Sequence, residues 1–134
     1  MDIREKMKKS ILYFDGGMGT LLQQKGLQPG ELPENWNIEH PELITEIHRS
    51  YLLAGCDIIK TNTFGANPFK FSNLAEIVAC AIKNAQKAIQ GFSEQKYIAL
   101  DIGPLGKMLK PLGDLHFEEA VAAFAQIIKA ADQE

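Results

Sequence analysis

Cysteine is scarce and scattered in this sequence. Only Cys56 and Cys80 occur, with no C-x-x-C pair and no histidine at ligand spacing, so neither a disulfide framework nor a zinc knuckle is indicated. Both are expected to be ordinary buried thiols, which behave as small hydrophobes. Basic runs are just as short, Lys8-Lys9 being the longest, and 14 basic against 17 acidic residues leave a net charge of -3. That balance offers no cationic footprint for nucleic acid or an anionic membrane. No apolar run approaches the roughly 20 residues of a membrane span. The charged residues 1–10 lack the apolar core and cleavage site of a secretory signal, so a cytoplasmic protein is expected. Gly16, Gly17 and Gly19 do not form G-x-G-x-x-G, and a Walker-type phosphate loop is missing. His40, His48 and His116 are too far apart to suggest a metal pair, no metal ligand is assigned, and His48 is expected on a polar or interface face.

What the sequence does contain is a repeated order of short β-type runs and longer helical patterns. With 134 residues and 46% hydrophobic content, the chain suffices for one packed domain. A first strand is expected at residues 11–14, and after a Gly/Pro-broken connection over residues 26–40 a helix begins at Pro41, a favoured first-turn residue. Its inner face is Leu43, Ile44, Ile47, Tyr51 and Leu52, and Gly55 ends it. A second strand, residues 57–61, has Ile58 and Ile59 at its centre. The helix that follows at Leu74 carries Ile77, Val78, Ala81, Ile82, Ala85 and Ile89 in one 3.6-residue stripe, and Gly91 closes it. A third strand at residues 97–100 leads to a third helix whose predicted buried face is Phe117, Ala120, Val121, Phe124, Ile127 and Ile128.

Three such βα units predict parallel strands. Standing alone, they would leave two unpaired sheet edges and an uncovered apolar face. A (β/α)8 barrel needs eight units in about 250 residues, so the expected fold class is α/β, a partial TIM barrel of about three N-terminal units.

In α/β folds, ligands bind at the C-terminal ends of the parallel strands. Those ends are Asp15-Gly16-Gly17, Thr61-Asn62-Thr63 and Asp101-Ile102-Gly103, all polar or glycine-bearing although the strands feeding them are apolar. Glycine lets backbone N–H groups approach a ligand closely, and Asp15 sets a negative charge beside them, so the corner suits both charges of an amino acid. Each residue also has a plainer role: Asp15 as N-cap of a helical turn over residues 19–24, Thr61, Asn62 and Thr63 as partners of loop backbone, and Asp101 as a turn former.

Read together, Asp15-Gly16-Gly17-Met18-Gly19-Thr20, Glu34-Asn35-Trp36-Asn37, His40-Pro41-Glu42, His48-Arg49-Ser50-Tyr51, Ala54-Gly55-Cys56-Asp57-Ile58-Ile59 and Thr61-Asn62-Thr63-Phe64-Gly65-Ala66-Asn67 resemble the homocysteine-binding domain of homocysteine S-methyltransferases. With Asp101-Ile102-Gly103-Pro104 and Pro111-Leu112-Gly113-Asp114, the chain is most similar to the N-terminal module of the cobalamin-dependent methionine synthases.

The resemblance implies a TIM barrel in which zinc binds homocysteine as a thiolate, which then attacks a methyl group supplied by methylcobalamin. Asp15 falls at the position of the substrate amino group's partner, the amides around Gly16 and Gly17 face the carboxylate, and Thr61 lines the pocket, with Asn62 and Asp101 beside it. The family's zinc ligands are three cysteines on later strands, which neither Cys56 nor Cys80 matches. Residues 1–134 are therefore expected to be the N-terminal part of a truncated homocysteine-binding barrel, inactive alone, whose partners are homocysteine, the remaining barrel half and the cobalamin and folate modules. A methyltransferase with another donor such as S-methylmethionine is the near alternative. A non-catalytic protein that self-associates through exposed strand edges is the distant one.

Overall fold

Ile58 and Ile59, β-branched and apolar, form the centre of the sheet. Strand β1 (Ile58–Lys60) pairs in parallel with β2 (Tyr97–Ala99), placing Ile58 opposite Tyr97, Ile59 opposite Ile98 and Lys60 opposite Ala99. The structure, a computed structural model, describes residues 2–134. On the other side of β1, the amides of Asp57 and Ile58 donate to the Tyr13 carbonyl at 2.8 and 3.1 Å, and the Asp15 amide donates to the Ile58 carbonyl at 3.0 Å.

The strand expected at residues 11–14 is reduced to a single parallel bridge, Phe14 to Ile58. Two carboxylates explain why. The Tyr13 amide donates to Asp57 Oδ2 at 3.0 Å, and the Lys60 amide donates to Asp15 Oδ2 at 2.9 Å. Side chains thus take the amides at both ends of the ladder, and the backbone is released to turn at Gly16.

Among the described residues six α-helices accompany this sheet. In chain order they are α1 (Ile3–Met7), α2 (Gly19–Gln24), α3 (Trp36–Glu39), α4 (Pro41–Leu53), α5 (Leu74–Ile89) and α6 (Phe117–Ala131). Helix α4 starts at Pro41 as expected, and Gly55, at φ 109°, follows its C-cap. Ile59 packs into Leu52, Ala85 and Ala88, with half-buried Ile98 against them. Full burial of a side chain such as Ile59 contributes about 1.5–3 kcal/mol. Alternation along the strand directs Ile58 and Lys60 to the opposite face.

The connection over residues 26–40 is more ordered than its Gly/Pro content implies. It contains a 3₁₀ turn, Pro33–Asn35, running into α3. Trp36 is buried in a cluster with Leu22, Leu27, Ile44 and Ile47. Side-chain amides fasten this segment: Asn37 Nδ2 donates to the Asn62 carbonyl at 2.7 Å, Asn62 Nδ2 to the Pro33 carbonyl at 2.9 Å, and Asn84 Nδ2 to the Asn37 carbonyl at 3.0 Å.

Three expectations need correction. On α6 the buried residues are Ala120, Ala123 and Ile127, while Phe117, Val121 and Ile128 are more than half exposed. The helix meets α5 and the Leu105–Leu115 cluster along its small-residue line, so part of its apolar stripe faces away. His48 lies on no polar face: it is fully buried, and burial pushes its imidazole pKa down to about 4. Cys56 and Cys80 are free thiols, half-buried rather than buried.

Candidate functional site

A cavity of about 300 Å³ opens at the C-terminal ends of the parallel segments. Asp15, Gly16 and Gly17 line it from the first extended segment, Lys60, Thr61 and Asn62 from the end of β1, and Asp101 from beyond β2. All six residues singled out from the sequence therefore meet on one wall system. The sequence reading did not select Lys60, Glu34, Pro33, Met18, Gly19 and Phe64, which complete the lining. For Lys60 a signal existed, since it is a charged residue directly after the apolar pair Ile58-Ile59, at the same strand parity as Ile58. Glu34 gave none beyond its place in a motif.

Asp15 has no capping role at α2, whose N-cap position is taken by Met18 and which has no side-chain cap. Its side chain is 3% exposed. Oδ2 accepts the Lys60 amide, whereas Oδ1 is buried without a hydrogen-bond partner. Burial foremost, together with the charge of Asp101, raises the Asp15 pKa against the opposing pull of Lys60. A buried carboxylate oxygen left unpaired costs free energy in the empty site, and a cationic ligand would remove that cost.

Gly16 is required by close approach. A Cβ there would lie 2.9 Å from the Tyr51 hydroxyl oxygen, and that hydroxyl donates to the Gly17 carbonyl at 2.7 Å. The amides of Gly16 and Gly17 make no hydrogen bond among the described residues. They are available donors beside the carboxylate.

Thr61 and Asn62 line the cavity, but their polar groups serve the loops. The hydroxyls of Thr61 and Thr63 share a hydrogen bond of 2.7 Å, Thr63 donates to the Asp101 carbonyl at 2.7 Å, and the Asp101 amide donates to Thr61 at 3.1 Å. This closed network joins the ends of β1 and β2. The 3₁₀ turn is fixed to the same loop, since Glu34 Oε1 accepts the Gly65 amide at 2.6 Å.

The residues present do not fit a zinc ion. Among the described residues no three His, Cys, Asp or Glu side chains cluster as ligands would. The Cys56 thiol donates to the Phe14 carbonyl at 3.3 Å, and burial, then Asp15, raise its pKa, the reverse of what a metal-bound thiolate needs.

A parallel α/β layer with its polar cavity at the strand C-termini has the architecture of a TIM-barrel ligand site. The sequence model of the homocysteine S-methyltransferase family matches residues 12–134, and the chain belongs to that family. Solved structures of the homocysteine methyltransferase MmuM from Escherichia coli share the fold. The metallated form superposes with a TM-score of 0.80 at 21% identity, over 96% of this chain and 52% of that one. The oxidised form gives 0.83 at 22%, over 98% and 52%, and the apo form 0.74 at 24%, over 98% and 49%. The chain thus spans about half the length of these relatives and carries part of a TIM-barrel-type methyltransferase fold. Among the described residues, no helix is long and apolar enough to cross a membrane.

Proposed function

We propose that this chain supplies the amino-acid-binding part of a homocysteine S-methyltransferase site, the complete fold transferring a methyl group to the homocysteine sulfur to give methionine. The observation that carries this reading is the buried, unpaired Oδ1 of Asp15. The substrate ammonium donates to that oxygen, and the free amides of Gly16 and Gly17 receive the carboxylate. Thr61, Asn62 and Asp101 hold the surrounding wall. In this role the chain orients homocysteine and fixes where its thiol extends.

Zinc is the family's means of making the thiol a thiolate, and no residue of this chain is assigned to it. Methylcobalamin is retained as donor on the motif likeness to methionine synthase modules, with the folate module recharging it. The 134 residues alone are proposed to bind homocysteine without turning it over.

The test is calorimetric titration of the chain with homocysteine and with 4-sulfanylbutanoate, which lacks the amino group. Homocysteine should bind and the des-amino analogue should bind at least tenfold more weakly, a difference of about 1.4 kcal/mol. Equal affinities would remove Asp15 from the role given to it.

A further inference from the structure

Among the described residues Lys60 is the single cation on the cavity wall, which Asp15, Glu34 and Asp101 also line. Strand parity explains its direction. Ile59 is committed to the helical layer through Leu52, Ala85 and Ala88, so Lys60 projects from the other face of β1. Its ammonium stands 3.9 Å from Asp15 Oδ1, too far for a hydrogen bond, and its side chain is 39% exposed. Among the described residues that ion pair is its only side-chain interaction. A three-donor cation is thus held at the cavity without a donor satisfied by protein, next to a carboxylate oxygen that is also unsatisfied.

We propose that Lys60 is the carboxylate-binding and specificity-determining residue of this site, selecting ligands that carry an α-carboxylate beside their α-ammonium. This rests on the amino-acid-binding reading above and deepens it. In the empty site Lys60 and Asp15 face each other as a long, weak pair. An α-amino acid carries the same two charges on one carbon in the opposite sense, so its ammonium takes Asp15 Oδ1 and its carboxylate takes the Lys60 ammonium. The amides of Gly16 and Gly17 supply neutral donors to the same carboxylate, and Lys60 supplies the charge. The lysine stem is flexible enough to follow the ligand, whereas Asp15 is fixed by the backbone amide of Lys60 itself.

The experiment compares the wild-type chain, Lys60→Met and Lys60→Arg for binding of homocysteine and of 3-aminopropane-1-thiol, which lacks the carboxylate, with circular dichroism confirming the fold. Lys60→Met keeps the stem and removes the charge. Homocysteine affinity should fall by about tenfold to a hundredfold, the range for a hydrogen bond to a charged group, with the des-carboxy amine changed less than about twofold and Lys60→Arg retaining most homocysteine affinity. Unchanged binding of both ligands by Lys60→Met overturns the proposal. So does tighter binding of both, which would make Lys60 a competitor for Asp15, or an equal loss of both, which would make it wall structure. If the wild-type chain binds neither ligand, the amino-acid-binding reading fails and this proposal falls with it.

Discussion

The carboxylate of Asp15 accepts the backbone amide of Lys60 at 2.9 Å through Oδ2 and holds Oδ1 buried with no hydrogen bond. One residue therefore ends the sheet ladder and presents to the cavity a carboxylate oxygen that no hydrogen bond satisfies. Stability and ligand affinity pull in opposite directions at such a position.

Asp15→Asn separates them. The amide oxygen of Asn can still accept from Lys60, so the variant should fold, while homocysteine affinity should drop by about 2–5 kcal/mol, as for removal of one partner of a buried charge pair. The raised pKa of Asp15 means that its ionisation disfavours the folded state. Its stabilising protonated form is complete below the ordinary carboxyl pKa and is lost as pH rises through the higher folded-state value. At neutral pH the variant should thus melt no lower than wild type, and the comparison should shift in favour of wild type as the solution is acidified. A large fall in melting temperature at pH 7 would show that the carboxylate is structural.

Helices α4 and α5 were legible because each has a 3.6-residue apolar stripe and a glycine just past its end, and they begin where Pro41 and Leu74 predict. The first strand was legible as an apolar run but not as a bridge, since nothing in its composition says that the Asp15 and Asp57 side chains will replace backbone partners. The α6 face was misjudged because Val121 and Ile128 have the same hydropathy whether or not a neighbour covers them. The strand-end rule located the cavity, and it could not reveal Glu34, which reaches it from a 3₁₀ turn distant in sequence.

That turn is tied down at Gly65. A Cβ on residue 65 would stand 2.6 Å from Glu34 Oε1, so Gly65→Ala must displace the carboxylate that accepts the Gly65 amide. Leaving a half-buried donor and a buried acceptor without their partner costs about 1–3 kcal/mol. Urea unfolding should register that loss, accompanied by weaker homocysteine binding as the Pro33–Asn35 wall moves. Glu34→Gln, which can still accept the amide, should keep more of both. Wild-type stability in Gly65→Ala would show that the carboxylate relocates freely.

In the first extended segment, Ile11, Tyr13 and Phe14 are 77%, 62% and 55% exposed. An uncovered apolar edge beside unpaired backbone is a template for pairing with another chain. Sedimentation of the 134-residue chain should show association that rises with concentration, and Tyr13→Lys should shift it toward monomer by placing a charge on that edge. Strict monomer behaviour of both proteins over the same range would mean that the edge is protected.

His48 sets the last expectation, through the sign of its linkage. The side chain is fully buried, both ring nitrogens lack hydrogen-bond partners, and burial lowers the pKa to about 4. The folded state therefore keeps the imidazole neutral, while an unfolded chain protonates it near the ordinary value of about 6.5. Stability from this group is complete above that value and is lost as pH falls toward 4, because the unfolded state binds the extra proton. Between pH 7.5 and pH 4.5 the loss is about 2.5 kcal/mol. His48→Leu removes the titrating group and two unsatisfied nitrogens, so it should flatten the acid limb by about that amount, leaving the slope that carboxylates such as Asp57 contribute. Urea-unfolding free energies of the two proteins at those two pH values decide it: equal losses in both would assign the acid sensitivity elsewhere and leave His48 protonated, or solvated, in the folded chain.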